Sequence, residues 1–480
     1  MEAHLTTLKF IRENRAMKLI IVLFGLFGIY FGAQPARQSV LAPSARFESA
    51  ITGATILPQI RPRPRLASSP QESRTCEASR QPGADIGAKI NACDRMLGQG
   101  AGEIILTGGG TISTQVLLSP GHTLRLTGKG VYPSRVEGPA VVLDSNTALV
   151  CENWDSILEE GTAPEASPGV AYSAHTGQSV FTIVQSRSGI ISHAAKNDRL
   201  RVEGCHFRGA RKDFNSAVQT VSFGNCENCT ARKNWFESVR TIALQAGGTP
   251  EKGNAARNIL FEENLFTGSA SQNLALTNVV GANVRKNRFM APGISGGPGT
   301  AVIDVEPNTN DVVDNILIEG NLIDATDAPI GPNGPQTIFG IVINALNPTT
   351  AFRNVRVIGN TVIGSPPTAP YGRISYAGIL VRGATGVIVE RNLIQRVSRG
   401  ILLDSGASAT VVRRNTLLSC GSGGTAAIEI GDSSNNVVTD NVLENAPGET
   451  VYSAERSKII DQSGASKNNR IENNGGRNQE

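Results

Sequence analysis

A short motif, apolar-x-apolar-x-x-Asn-x-apolar, recurs from residue 200 to the C-terminus and constrains the fold more than any other feature of the chain. Its clearest copy is ILIEGNLI (316–323). Apolar residues alternate with a period of two, which predicts strands and excludes leucine-rich and helical repeats. The short, variable spacing of the copies predicts a solenoid whose rungs share a core and differ in their loops. The copies lie at 200–207, 229–236, 259–266, 282–289, 316–323, 355–362, 387–394 and 410–417, with weaker copies centred on Asn441 and Asn474.

The central residue of most copies is asparagine. Side-chain amides at equivalent turns can hydrogen-bond from one rung to the next, and asparagine tolerates a tight backbone. We therefore expect a structural ladder in preference to a row of ligand-binding residues. Cys205 takes the asparagine place in the first copy. The ladder is predicted to contain Asn264, Asn287, Asn321, Asn360, Asn392, Asn415 and Asn441.

The repeat resembles the right-handed parallel β-helix superfamily, which includes pectate lyases, rhamnogalacturonases and phage tailspike-type proteins. The resemblance covers roughly residues 80–475 and implies an all-β fold, a single right-handed parallel β-helix of about ten or more rungs. Asp85 is predicted to cap a short helix that ends at Gly98. This helix would cover the open hydrophobic end of the solenoid. Its apolar face is predicted to contain Ile86, Ile90, Cys93 and Leu97.

Composition divides the chain into four parts. The apolar run 19–33 is shorter than a membrane span of about 20 residues and fits the hydrophobic region of a secretory signal, so 1–36 is predicted to be a signal peptide or an uncleaved anchor, starting at Met1 or Met17. Pro, Ser and Arg dominate 37–75, which predicts a disordered linker. The β-helix domain is expected at 76–475 and a frayed tail at 476–480. We expect a secreted, periplasmic or cell-surface protein that contacts a membrane only through an uncleaved N-terminal segment.

Charge and cysteine content narrow the class of protein further. Residues 1–75 hold 10 Lys and Arg against 4 Asp and Glu, which leaves 35 against 37 in the rest of the chain. The folded part therefore lacks the basic bias of nucleic-acid-binding proteins. In an oxidising compartment, Cys76 and Cys93 are predicted to form a disulfide that clamps the first helix. Cys226 and Cys229 form either a disulfide or two buried thiols, and the odd total of seven leaves at least one thiol.

A second alternating strand lies upstream of each asparagine. Superposing its copies stacks inward apolar pairs such as Ile303/Val305 and Ile341/Ile343, which makes the core assignment self-consistent. One outward column then reads Gln245, Thr277, Glu306, Asn344, Arg382, Asp404 and Gly431. The neighbouring outward column reads Ala243, Ala275, Asp304, Val342, Leu380, Leu402 and Glu429.

Two long insertions, 324–339 and 363–377, enter this same sheet. Function in repeat proteins tends to lie where insertions cluster on one face. The second insertion carries Tyr371, Arg373 and Tyr376, which suit stacking on sugar faces and pairing with carboxylates. The predicted catalytic residues are Asp304, Glu306 and Arg382, and the predicted substrate-binding residues are Asn344, Asp404, Tyr371, Arg373 and Tyr376.

These residue types fit two reactions on a polysaccharide. A glycoside hydrolase needs two carboxylates, for which Asp304 and Glu306 qualify. A β-elimination lyase needs a base, and it needs a cation or an arginine that neutralises the uronate. Arg382 or Arg373, together with the Asp304/Glu306 pair, would supply these parts, and Ca²⁺ is the cofactor expected only of a lyase. The Asn-Thr-Asp, Asp-Asp, Gly-His-Gly and Arg-Ile-Lys elements of polygalacturonase-like hydrolases are absent, so no catalytic residue carries over from the family.

We therefore expect an exported enzyme, a lyase or a hydrolase, acting on a polysaccharide that lies along the outer sheet, uronate-containing polymers included. The alternative is a non-catalytic β-helix that binds glycan or serves as a surface adhesin, because an Asp-x-Glu pair on a strand equally fits a solvated surface. The sequence indicates no oligomeric state. The segment 154–172 is interpreted as a surface loop with solvated Glu159 and Glu160, and His206 as a turn or edge residue.

Overall fold

The structure is a computed structural model, and it describes residues 74–136, 138–160, 183–187, 196–209, 219–239, 242–248, 254–268, 272–292, 300–328, 338–349, 351–364, 377–421, 425–444, 459–462 and 467–475. All of these belong to one compact unit, Pro70–Glu480. The predicted signal or anchor, the linker up to residue 73 and the tail from 476 lie outside the described residues. In the described part of the chain, no helix has the length and apolar character needed to span a bilayer.

The described residues form three parallel sheets of 16, 11 and 12 strands, and in most rungs the chain passes from sheet 1 to sheet 2 and then to sheet 3. This confirms the predicted right-handed parallel β-helix. Sheet 1 contains Arg74–Glu77, Gly102–Thr107, His122–Thr127, Ala148–Cys151, Asn197–Asp198, Arg201–Glu203, Cys226–Glu227, Thr230–Arg232, Ala256–Glu262, Val279–Arg285, Val312–Glu319, Ala351–Ile358, Ile388–Glu390, Val411–Arg413, Val437–Thr439 and Arg470–Glu472.

Sheets 2 and 3 are made of the strands that come after the sheet 1 strand within a rung. Sheet 2 contains Gly130–Pro133, Ser156–Glu159, His206–Arg208, Trp235–Glu237, Leu265–Thr267, Arg288–Met290, Leu322–Asp324, Thr361–Ile363, Leu393–Gln395, Thr416–Leu418 and Val442–Glu444. Sheet 3 contains Val116–Leu118, Val141–Leu143, Val184–Ser186, Gln219–Gly224, Ile242–Gly247, Leu274–Leu276, Thr300–Val305, Ile338–Asn344, Ala377–Arg382, Ile401–Asp404, Ile428–Ile430 and Ile459–Asp461.

The core fills the space between the three sheets. Alternate residues of each strand point inward, and equivalent residues stack from rung to rung because the strands are parallel and in register. In sheet 3 the predicted inward pairs Ile303/Val305 and Ile341/Ile343 are fully buried and aligned. Four phenylalanines stack in sheet 2, with ring centroids 4.6 to 5.1 Å apart along Phe207, Phe236, Phe266 and Phe289.

The predicted asparagine ladder is present at the turn between sheets 1 and 2. Each buried amide donates to the side-chain oxygen of the next, as from Asn287 to Asn321 at 3.0 Å and from Asn321 to Asn360 at 2.9 Å. The same amide also donates to a strand carbonyl, that of Val284 in the case of Asn321. The ladder runs from Asn234 to Asn474, longer than predicted at both ends.

The N-terminal end is closed by the helix Ile86–Leu97. Asp85 caps it by accepting from the backbone N–H groups of Gly87 and Ala88, and Gly98 follows it with a φ of 64°. Its face of Ile90, Cys93 and Leu97 is buried, while Ile86 is partly buried against the core. This agrees with the sequence-based expectation for a cap.

Three disulfides lie within the described residues. The suggested pair Cys76 and Cys93 is joined, with Cα atoms 5.6 Å apart, and ties the first strand to the capping helix. Cys226 and Cys229 are also joined, which decides between the two alternatives. Cys151 pairs with Cys205, a link that the sequence does not indicate because Cys205 occupies a ladder position. Cys420 is buried, and its thiol contacts the carbonyl of Ile394.

The interpretation of 154–172 as a loop with two solvated glutamates is wrong where the structure describes it. Ser156–Glu159 is a strand of sheet 2. Glu159 accepts hydrogen bonds from Arg208, and Glu160 is fully buried, accepting from the hydroxyl of Thr220 at 2.8 Å. The error arises because this rung lacks the asparagine that marks the others, so its strand is not visible as a copy of the repeat.

Candidate functional site on the outer face of sheet 3

Four of the predicted site residues form one row across consecutive rungs of sheet 3. Arg382 pairs in register with Asn344 on one side and with Asp404 on the other. Glu306 directly follows the strand Thr300–Val305 and accepts a 2.9 Å hydrogen bond from the side chain of Asn344. Because adjacent strands are about 4.8 Å apart, the row Glu306, Asn344, Arg382 and Asp404 spans about 14 Å.

The predicted column is wrong at Gln245. Gln245 aligns with Ala275, which in turn aligns with Asp304, so Gln245 lies in the column of Asp304 and not in that of Glu306. The strand Ile242–Gly247 continues two residues past Gln245. These two residues, Ala246 and Gly247, have little or no side chain. The alternation of apolar and polar residues in the sequence therefore ends before the strand does.

Asp304 is a buried carboxyl group on the outward side of this sheet. It is 5% exposed, and its Oδ2 atom accepts from the side-chain amide of Gln272 at 3.3 Å, whereas its Oδ1 atom has no hydrogen-bond partner among the described residues. Burial and, next, the negative charge of Glu306 raise the pKa of Asp304 to about 8. The hydrogen bond from Gln272 acts in the opposite direction. Asp304 is therefore a protonated acid at neutral pH.

Glu306 differs from Asp304 although the two are only two residues apart. Its side chain is exposed, past the end of the strand, where Asn344 orients it. Proximity to this carboxylate is one of the causes that keep Asp304 protonated. The sequence places both carboxylates on one face, and the structure adds that one is buried and the other is solvent-accessible. Such a pair is suited to proton transfer, because burial raises the pKa of one carboxyl group while the other stands in solvent.

Arg382 and Asp404 occupy the end of the row away from the carboxyl pair. Among the described residues, the guanidinium of Arg382 donates to the hydroxyl of Ser405 at 3.3 Å, and both Arg382 and Asp404 are partly exposed. Arg382 lies two rungs from Glu306, about 10 Å away. At this distance Arg382 is not in direct contact with the carboxyl pair.

An apolar surface continues the column of Asp304. Val342, Leu380 and Leu402 follow it in register and point outward, yet all three are buried. They form a cluster with Ala301 and Ala377, against which Phe339 packs. Tyr371, Arg373 and Tyr376, the predicted wall of the site, lie outside the described residues.

Two amides near Asp304 are missed by sequence reasoning. Gln272 contacts Asp304 directly, and Asn273 is 1% exposed with neither side-chain N nor O hydrogen-bonded. Gln185 is similar, since it is buried in the same column and its Oε1 has no partner. The only signal in the sequence is that polar residues occupy outward positions of an otherwise apolar sheet. In the described part of the chain, no group of three or more His, Cys, Asp or Glu side chains is arranged to hold a metal ion.

Comparison with known proteins agrees with this architecture. Residues 357–478 match the family model described as a right handed beta helix region. The chain is a right-handed parallel β-helix protein. No curated protein matches its sequence.

Solved structures share this β-helix at low sequence identity. A hyperthermoactive exopolygalacturonase from Thermotoga maritima is 14% identical, with a TM-score of 0.51 over 78% of this chain and 92% of that one. PfbA, a surface adhesin of Streptococcus pneumoniae, is 11% identical, with a TM-score of 0.49 over 84% of this chain and 92% of that one. A PL6 family polysaccharide lyase from Pseudopedobacter saltans is 13% identical, with a TM-score of 0.47 over 84% and 92%. At these identities the likeness shows the fold alone.

Proposed function

We propose that this β-helix protein is a glycoside hydrolase that cleaves a polysaccharide lying along the outer face of sheet 3. The observation that carries the proposal is the pair formed by buried Asp304, whose pKa is raised to about 8, and exposed Glu306. Two carboxyl groups with separated protonation states are what glycosidic cleavage requires. Asp304 is the proton donor to the leaving oxygen, and Glu306 is the second carboxylate.

The separation of the two carboxyl groups decides between the retaining and the inverting form of the reaction. Retaining enzymes hold their carboxyl groups about 5 Å apart, whereas inverting enzymes keep them roughly 6.5 to 9.5 Å apart to admit a water molecule. Asp304 and Glu306 lie two residues apart, and the charge of Glu306 acts on the pKa of Asp304, so we take the retaining form as part of the proposal. Glu306 would attack the anomeric carbon as Asp304 protonates the departing oxygen, and Asp304 would then deprotonate the water that releases the sugar. A product anomer that retains the substrate configuration, followed by NMR, would support this assignment.

The rest of the row is suited to holding the chain. Asn344, Arg382 and Asp404 offer amide, guanidinium and carboxylate groups at intervals of about 4.8 Å, and sugar hydroxyls both donate and accept hydrogen bonds. Tyr371, Arg373 and Tyr376 stay predicted substrate contacts from the adjoining insertion. A uronate polymer would place a carboxylate near Arg382, and a neutral polymer would place hydroxyls there.

We also propose that the protein acts outside the cytoplasm. The apolar run at 19–33 supports this, and so do the three disulfides, because disulfides persist in oxidising compartments.

The test is to incubate the protein with a panel of neutral and acidic polysaccharides while following reducing ends and unsaturated uronates separately. We expect new reducing ends without unsaturated uronates, and a loss of at least 100-fold in kcat for Asp304→Asn and for Glu306→Gln, since a general acid or a nucleophile contributes on that order. Unsaturated products that depend on Arg382 and on added Ca²⁺ would instead establish the lyase alternative. Binding without turnover of any polymer would establish the non-catalytic alternative.

A further inference from the structure

Both tryptophans of the chain lie next to each other on the surface of sheet 2, away from the candidate site on sheet 3. The sequence contains two Trp in 480 residues, and their ring centroids are 5.5 Å apart. Trp154 is 40% exposed, and Trp235 is partly exposed. Large exposed aromatic side chains are costly in a soluble protein unless they contact something.

These indoles are held in fixed orientations. The N–H of Trp154 donates to the carbonyl of Lys233 at 3.0 Å, and the N–H of Trp235 donates to the hydroxyl of Thr267 at 2.7 Å. The ring of His206 stacks on Trp235 at 3.9 Å, and its Nδ1 contacts the carbonyl of Trp154 at 3.1 Å. With both N–H groups satisfied internally, the indoles have only ring faces and edges to offer a ligand. Their rigidity also lowers the entropy lost on binding.

A polar rim borders the rings. Arg208 aligns in register with Glu159 on one side and with Glu237 on the other, so three charged residues line the adjacent outward column of sheet 2. Arg208 donates to Glu159 at 2.9 Å through Nε, and Glu237 contacts Nε2 of His206 at 2.9 Å. Arg208 compensates Glu159, which leaves the carboxylate of Glu237 as the excess charge of the rim. The surface therefore has many hydrogen-bonding groups and little net charge.

We propose that this tryptophan patch, formed by Trp154, Trp235 and the rim of Glu159, Arg208 and Glu237, is a second binding site for a polysaccharide of neutral sugars. A pyranose ring presents C–H groups on its face and hydroxyls at its edge. It can pack its face on a rigid indole while its hydroxyls bond to the rim. The rim carries two carboxylates against one guanidinium, which disfavours an anionic polymer or a nucleic acid.

The location on a different sheet gives this patch a role separate from bond cleavage. The class of ligand rests on the proposed function, since a protein that cleaves a polymer gains from a second contact with it. A second contact raises the effective concentration of a long chain at the site and does nothing for a short one. The patch would therefore matter for long or insoluble polymers and not for oligosaccharides that only reach sheet 3.

Intrinsic fluorescence tests the proposal directly, because every tryptophan that emits belongs to the patch. Titration with soluble neutral polysaccharides such as a glucan, a xylan and a galactomannan should give a saturable change in emission with at least one of them, and polygalacturonate should give none. Trp154→Phe should keep the response through Trp235, and Trp154→Ala should weaken binding about tenfold. Met96→Ala, which removes a 60% exposed side chain from the capping helix, is the matched control and should change neither binding nor emission.

Asp304→Asn separates this proposal from that of catalysis, since it should abolish turnover and leave the fluorescence response intact. Trp154→Ala should do the reverse, with unchanged turnover of short oligosaccharides and weaker retention on the insoluble polymer. Circular dichroism checks that each variant folds. Polymer binding that survives Trp154→Ala unchanged, or the absence of any emission change across the panel, would overturn the proposal.

Discussion

Two sets of buried polar side chains in this molecule differ in their hydrogen bonds. In the ladder between sheets 1 and 2, each amide bonds to the next amide and to strand carbonyls, as Asn321 does with Asn360 and Val284. On the outer face of sheet 3, Asp304 and Asn273 are also buried. Among the described residues, Oδ1 of Asp304 and both polar side-chain atoms of Asn273 have no hydrogen-bond partner. Satisfied buried polar groups stabilise a fold, whereas unsatisfied ones cost free energy and are retained for another reason. This contrast separates Asp304 and Asn273 from the ladder amides and supports the proposal that this face has a role beyond stability.

The largest effect is expected from breaking the ladder. Asn321→Ala removes an acceptor used by the backbone and side-chain N–H groups of Asn287 and a donor to Val284, leaving several buried groups without partners. Each such group costs about 1–3 kcal/mol, so the free energy of unfolding should fall by about 3 kcal/mol or more. Chemical denaturation measures this. Asn347→Ala removes one hydrogen bond from an exposed side chain to the carbonyl of Pro307 and should cost less than about 1 kcal/mol. Equal losses in both variants would contradict the structural role of the ladder.

The opposite sign is expected at Asp304. The pKa of Asp304 is raised from the ordinary 3.8 to about 8 in the folded protein. Between these two pH values the Asp304 side chain is ionised in the unfolded chain and protonated in the folded protein. Stability is therefore greatest at low pH with respect to this group and declines as pH rises from about 4 to about 8. Asp304→Asn, which cannot ionise, should stabilise the protein at pH 7 by on the order of 2 kcal/mol, with little difference at pH 3.5. Thermal unfolding at the two pH values checks this, and destabilisation at pH 7 would show that Asp304 is a structural residue.

The ladder and the capping helix were predictable because they depend on local patterns. The motif marks each Asn, and the sequence around Asp85 and Gly98 specifies the two ends of the helix. The alignment of Arg382 with Asn344 and Asp404 was predictable for the same reason, since the register of a strand fixes which side chains are neighbours.

Contacts between side chains of irregular rungs were not predictable from the sequence. The burial of Asp304 and its contact with Gln272 depend on neighbouring rungs and their connections, which do not follow the repeat. Trp154 precedes a strand in a rung that lacks the ladder asparagine, so its approach to Trp235 is visible only in three dimensions. Gln245 aligns with Ala275, two residues away from the predicted Thr277, because the small residues after Gln245 do not reveal in the sequence that the strand continues.

A third prediction concerns the pH dependence of turnover. If Asp304 is the proton donor, activity should fall as pH rises through about 8, because the folded protein then loses that proton. Glu306→Asp keeps the neighbouring charge, so any residual activity should keep an alkaline limb close to that of the wild type. Glu306→Gln removes the charge that helps to raise the pKa of Asp304, so the titration of Asp304, followed by NMR, should shift to lower pH. An unshifted titration in Glu306→Gln would mean that burial alone sets the pKa of Asp304.

The smallest effect is expected at the far end of the row. Arg382 is partly exposed and bonds to Ser405 at 3.3 Å, so Arg382→Ala should leave the free energy of unfolding within about 0.5 kcal/mol of the wild type. Its guanidinium faces the proposed path of the polysaccharide, and losing its donors should lower kcat/KM about tenfold, mainly through KM, because it lies about 10 Å from the carboxyl pair. Arg356→Ala removes an exposed arginine from sheet 1 and is the matched control, expected to change neither value. A fall in kcat as large as that for Asp304→Asn would instead place Arg382 at the reacting bond, as the lyase alternative requires. Unchanged kinetics would remove Arg382 from the binding surface and confine the functional face to the rungs around Asp304, where the unsatisfied polar atoms lie.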